Sequence, residues 1–206
     1  MRRRRNSEAN PLESLYTLFL VAPRWAGPVV AILAFALGTA VNRLLGALFG
    51  GGVLFAWLMS MTARHARRAN LDRQSGVASI RRMSWREFES LMAEAYRRQG
   101  FTVEERGGGG ADGGVDILLR RNGETVVVQC KHWKAWKVGV RTVREVYGVM
   151  TAIGATRAVI AACGAFTGDA VRFATGRPIE LLDGESVWRL VQSVRSGDST
   201  PEIGNA

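Results

Sequence analysis

Apolar and polar positions change rhythm twice along this chain. Sixteen consecutive residues over 26–41 (AGPVVAILAFALGTAV) carry no charge, and twenty more do the same over 44–63 (LLGALFGGGVLFAWLMSMTA). A helix needs about 20 apolar residues to cross the hydrocarbon core of a bilayer. The second run meets that length. The first meets it when Trp25 and Asn42 sit at the interfaces, where aromatic and polar groups are stable. Only Asn42 and Arg43 separate the runs. The pattern therefore predicts two membrane helices, about 25–42 and 44–63, joined as a tight hairpin. A cleaved signal peptide fits less well, because Pro23 and Arg24 follow LYTLFLVA with no small-x-small site. A buried hairpin of a soluble protein fits less well too, since arginines flank the long uncharged run.

The stretch 64–82 (RHARRANLDRQSGVASIRR) reads as a basic, polar linker. From Met83 onward the rhythm alternates between helix and strand. Ser84 and Glu87 fit a capping box, and Phe88, Leu91, Met92 and Ala95 recur at helical spacing until Gly100 ends the helix. Residues 101–106 alternate like a strand, 107–114 form a glycine loop, and 115–119 are apolar and strand-like. Asn122-Gly123 predicts a two-residue hairpin turn, and the β-branched run 125–129 returns from it. Helices are expected over 141–154, 167–175 and 185–194, with strands at 158–162 and 179–182. The fold class predicted is α/β: a mixed sheet flanked by helices over 83–195, preceded by the transmembrane hairpin, with a flexible tail over 196–206.

Charge places the two halves differently. The net charge is +10. Residues 1–82 hold 12 arginines, no lysine and three acids, a balance of +9; residues 83–206 hold 13 arginines, three lysines and 15 acids, a balance of +1. The basicity thus belongs to the N-terminal half and says little about what the C-terminal domain binds. Arg2, Arg3, Arg4 and Arg5 precede the first run, and Arg64, Arg67, Arg68 and Arg73 follow the second. The positive-inside rule puts both clusters in the cytoplasm, with 1–24 a basic cytoplasmic N-terminus. A hydrophobic share of 47% excludes a largely disordered chain. Two cysteines exclude a disulfide scaffold, and two distant histidines exclude zinc spacing.

Counting outward from the turn, Arg121 faces Glu124 and Asp116 faces Gln129. Alternation then puts Gln129 and Lys131 on one face and Cys130 on the other. A carboxylate, an amide oxygen and an ammonium converge beside a glycine loop that permits close backbone approach. Such a set suits phosphodiester hydrolysis, with Asp116 and Gln129 as oxygen ligands for Mg²⁺ and Lys131 beside the attacking water. The segment 131–141 (KHWKAWKVGVR) interleaves cations with tryptophans. Lys134, Lys137 and Arg141 are candidate phosphate contacts, with Trp133 packing on sugar or base.

The run from Met83 to about Leu190 resembles the catalytic domain of the Mrr-type restriction endonucleases, within the PD-(D/E)xK nuclease superfamily. The matching pieces are WREFESLM, GGGGADGGVD, VVVQCK, VREVYGVM, FTGDA and IELLDGE. The resemblance implies that Asp116 is the metal-binding aspartate, and that Gln129 and Lys131 form the QxK version of the third motif. It implies that Glu89 helps organise metal or water, and it gives Asp112 a possible accessory place. Gln129 stands where Asp or Glu is usual, which favours one metal over two. The expected protein is a Mg²⁺-dependent DNA endonuclease of the bacterial cytoplasmic membrane, multi-pass, with its catalytic domain in the cytoplasm. Restriction of foreign or modified DNA is the implied role, and a homodimer the expected way to cut two strands. The alternatives are a DNA-binding membrane tether that does not cut and a branched-DNA or repair nuclease of the same fold.

Overall fold

The computed structural model describes residues 18–19, 22–23, 25–106, 115–131 and 137–197. The chain divides into two units, residues 1–66 and 67–206.

In the first unit α1 (Ala26–Val41) is followed, with only Asn42 between them, by α2 (Arg43–Asp72), whose residues from Arg67 onward belong to the second unit. Asn42 leaves the helical region and its side-chain oxygen accepts from the Leu44 N–H at 2.8 Å, capping the second helix. The two helices approach through glycine. A Cβ on Gly38 would stand 2.6 Å from the Cα of Gly46, and one on Gly50 would stand 2.8 Å from the Cβ of Phe35. Such contact distances are available only where side chains are absent. Among the described residues one helix, α2, is long and apolar enough to cross a bilayer. At 16 residues α1 is a shorter apolar helix, so the expected second full span is not met by its length.

The second unit is a five-stranded mixed sheet in the order β1-β2-β3-β5-β7, with β1 Thr102–Glu105, β2 Ile117–Arg121, β3 Glu124–Lys131, β5 Arg157–Ala162 and β7 Ile179–Leu182. β1, β2 and β3 are antiparallel, whereas β3, β5 and β7 run parallel. A two-stranded parallel ribbon, β4 (Lys137–Val138) with β6 (Ala165–Phe166), stands apart from it. Val126, Val127 and Val128 are fully buried because helices cover both faces, so the central strand reads as a continuous apolar run. On one face lie α3 (Val77–Arg81), α4 (Trp85–Arg98) and α7 (Gly184–Ser196); their Ile80, Phe88, Leu91 and Val187 pack with Val126, Val128 and Cys130. On the other lie α5 (Val140–Ala152) and α6 (Gly168–Ala174), whose Val143, Val146 and Ala170 pack with Leu118, Val127 and Ile160.

The expected elements form close to their expected bounds. The stretch 64–82 departs from its reading as a linker. It is helical through Asp72 and again in α3, and Leu71 and Ile80 are fully buried in the first core layer. Arg98 holds Asp72 at 2.9 Å and Arg195 donates to the Gln74 carbonyl at 2.8 Å.

Candidate active site

Three local devices bring the polar residues together. The Ser84 capping box forms as written: Glu87 accepts from the Ser84 N–H at 2.7 Å and from its hydroxyl at 2.8 Å, starting α4 one turn before Glu89. The β2–β3 turn holds Asn122 at φ 50° and Gly123 at φ 83°, the left-handed pair that a two-residue hairpin requires. This fixes the register Arg121↔Glu124 through Ile117↔Val128, which continues to Asp116 opposite Gln129. The main chain of Asp116 is clamped on both sides: its N–H donates to the Val128 carbonyl at 3.0 Å, and its carbonyl accepts from the Arg106 N–H at 2.8 Å.

The Asp116 carboxylate then receives two donors on Oδ2, the Gln129 amide at 2.5 Å and the Cys130 N–H at 2.7 Å. Gln129 is buried, at 5% exposure. Glu89 and Lys131 complete the group. The Glu89 carboxyl meets that of Asp116, and the Lys131 charge acts on Asp116. Cys130 packs into the first core layer with Val126 and Val128, on the face opposite Val127, as alternation requires.

Electrostatics mark the pair. Burial, and then the adjacent Asp116 carboxyl, push Glu89 up to about 8. Burial also raises Asp116, against the Cys130 N–H, Glu89 and Lys131, which lower it. Two carboxyls in so little water cannot both ionise freely, and Glu89 keeps the proton. The Glu89 Oε1 atom is buried without a hydrogen-bond partner. An orphaned carboxyl oxygen beside a second carboxylate fits a divalent cation, which would satisfy the lone pairs and offset the repulsion. A half-turn of the Gln129 amide would present its oxygen instead of its nitrogen. Two carboxylates and an amide suit Mg²⁺, which keeps several waters of its own. Among the described residues no three of His, Cys, Asp and Glu form a ready-made cage.

The other expected residues, Asp112 aside, are candidates for contact with DNA rather than with the metal. Lys137 is exposed on β4, and Arg141 is 92% exposed in the first turn of α5, held to Glu145 at 3.0 Å. Asp112, Trp133 and Lys134 lie outside the described residues. Two participants were not read from the sequence. The first is the Cys130 main-chain N–H, hidden behind an apolar side chain. The second is Glu105, whose charge acts on Glu89 and which Arg97 (2.6 Å) and Arg67 hold in place. Only the β1–β2 register, which places Glu105 opposite Ile117, reveals its position. A cavity of about 540 Å³ lined by Phe166, Val171, Arg177, Ile179 and Glu180 lies along β7 and contains none of the expected residues.

Residues 80–191 match a family model described as restriction endonuclease, of the Mrr catalytic type. No curated protein matches the sequence. Among solved structures the chain is similar to a protein of unknown function, AF1548 (20% identity, TM-score 0.43, 50% of this chain and 62% of that one). It is also similar to the DNA modification-dependent restriction endonuclease AspBHI (17% identity, TM-score 0.45, 66% and 36%). A third is the MspJI restriction endonuclease in complex with a 27-mer oligonucleotide (18% identity, TM-score 0.35, 68% and 32%). The chain spans less than two thirds of the length of each of these structures.

Proposed function

The chain belongs to the Mrr catalytic family of restriction endonucleases, and from that membership we propose that it is a Mg²⁺-dependent DNA endonuclease anchored in the bacterial cytoplasmic membrane. The observation that carries the reading is the convergence on one strand end. Asp116 Oδ2 receives Gln129 and the Cys130 N–H, and Glu89 stands against it with an unsatisfied buried oxygen.

Glu89, Asp116 and Gln129 would hold the metal, which supplies charge neutralisation at the phosphate and a more acidic water. The residues do the rest. Lys131 orients the attacking water and offsets charge developing on the phosphate oxygens. Water adds to phosphorus as the bond to the leaving sugar oxygen breaks. With the metal bound Glu89 would be an ionised ligand, its proton released on binding; the proton of the attacking water would leave to bulk solvent, and a solvent water would protonate the departing sugar oxygen. The Cys130 N–H and the clamped Asp116 backbone keep the carboxylate aimed.

The anchor rests on the surface of the first unit. Apart from Ile153 and Val171, the exposed large apolar side chains of the described residues all lie within 18–59, and Leu37, Val41 and Leu44 are 71–80% exposed. Lipid is the solvent in which such a surface is stable. We read α1 as the first crossing of a hairpin, lengthened to span by Trp25 and Asn42 at the interfaces, with the nuclease in the cytoplasm. Restriction of foreign or modified DNA is the role proposed, and two copies of the chain would supply a site for each strand.

Methylated and unmethylated supercoiled plasmids incubated with the full chain in detergent test this directly. Cutting with Mg²⁺ that stops in EDTA, and that differs between the two plasmids, is the expected result. Retarded plasmid without any cutting would move the chain to a DNA tether. Cutting confined to branched substrates would move it to repair.

A further inference from the structure

Residues 137–178 carry six basic and two acidic side chains, in a domain whose overall balance is only +1. One of the six, Arg157, is held by Glu124 and Glu180 on the sheet. The others lie on or beside α5 and α6, the two helices that cover one face of the sheet. Val127 belongs to that face, and Gln129 and Lys131 follow it at even spacing, so these two members of the candidate active site turn toward the same side, while Glu89 reaches the site from α4 on the other.

Phe173 organises the middle of this surface. The Arg177 guanidinium stands 4.3 Å from the centre of its ring and that of Arg144 stands 5.4 Å away. Tyr147 meets the ring edge-on, with centroids 5.9 Å apart. Arg177 also donates to the Phe173 carbonyl at 2.6 Å. Both arginines are exposed, and neither is paired with a carboxylate among the described residues. A guanidinium stacked on an aromatic ring loses little further freedom when its N–H fork meets a phosphate. Arg141 and Arg144 are three residues apart and so share one side of α5, whose first turn follows Lys137.

We propose that Arg144 and Arg177, set by Phe173, continue from Lys137 and Arg141 as a track that seats the phosphate backbone of duplex DNA leading away from the cleavage site. This rests on the DNA reading above and names the surface that binds. Phosphate contacts release counterions, so each should add about 0.9 to the slope of log affinity against log salt.

The test is duplex binding by the full chain in detergent, carrying Asp116→Ala so that nothing is cut, followed by anisotropy across a salt series. Arg144→Ala with Arg177→Ala should lower the slope by about 2 and raise Kd about 10-fold or more near 150 mM salt. Arg144→Lys with Arg177→Lys should restore the slope but only part of the affinity, because the charge returns without the stacked fork. Arg120→Ala, an exposed arginine already held by Glu104 at 3.0 Å, should leave the slope unchanged. In the parent, with Asp116 intact, the same Ala pair should raise KM with little change in kcat. An unaltered slope in the folded Ala pair overturns the track alone. Absence of any DNA binding by the Asp116→Ala chain overturns the reading beneath it.

Discussion

Asp116, Gln129 and Lys131 could be read from the sequence because a two-residue turn makes strand register a matter of counting. Asn122 and Gly123 adopt the positive φ angles that the turn needs, and the pairing beyond them follows. Glu89 was legible only through the family resemblance, since a glutamate on an amphipathic helix ordinarily faces water. Glu105 was not legible: its place depends on β1 pairing across the glycine loop, which no local pattern encodes. Gln129→Glu would set a third carboxylate in a buried position. It should bind a divalent cation more tightly and melt at a lower temperature than the parent in EDTA, as calorimetry of both forms would show. The raised carboxyl predicts a pH dependence with a definite sign. Glu89 holds its proton to about 8 in the folded chain against an ordinary 4.5, so the folded state binds more protons between those values. Without metal, stability should therefore fall as pH rises from about 4.5 to about 8, with Asp116 adding in the same direction. Saturating Mg²⁺ should flatten that fall in a series of melting curves, and a curve indifferent to metal would contradict the pairing.

Among the elements, helices and strands with strong periodicity formed where the sequence placed them, and the capping box at Ser84 formed with both reciprocal bonds. The stretch 64–82 misled because its apolar residues are sparse among arginines, so no helical stripe stands out. Leu71 and Ile80 are nevertheless fully buried, and Asn70 donates to the Glu87 carbonyl at 3.0 Å. These residues help complete the core layer beneath α4 and α7. Leu71→Ala should cost about 2–4 kcal/mol of stability to urea, as for other buried leucines, whereas a solvated linker would lose almost nothing. Gly123→Ala should cost about 1 kcal/mol, because φ 83° strains any residue with a Cβ. That loss should come with weaker cutting, since the same turn sets Asp116 opposite Gln129.

At the level of the whole molecule, charge and apolar surface divide the work. Most of the net positive charge lies in residues 1–82, beside the apolar runs, while the domain that would meet DNA is nearly balanced and must rely on local patches. The anchor reading predicts that the full chain stays with membranes through high salt and alkaline carbonate washes. Release by salt would mean a helix lying on the surface. Proteolysis of intact spheroplasts should spare the nuclease domain if both basic clusters face the cytoplasm. The central claim, however, is that the end of the β2–β3 hairpin is a metal-dependent catalytic site. The measurement that tests it most directly is the rate of plasmid nicking by the full chain with Mg²⁺, beside Asp116→Ala and Lys131→Ala. Both variants should fold as the parent does, with Asp116→Ala slower by about 1,000-fold and Lys131→Ala by about 100-fold or more. Nicking near the parent rate by either folded variant would place the chemistry elsewhere.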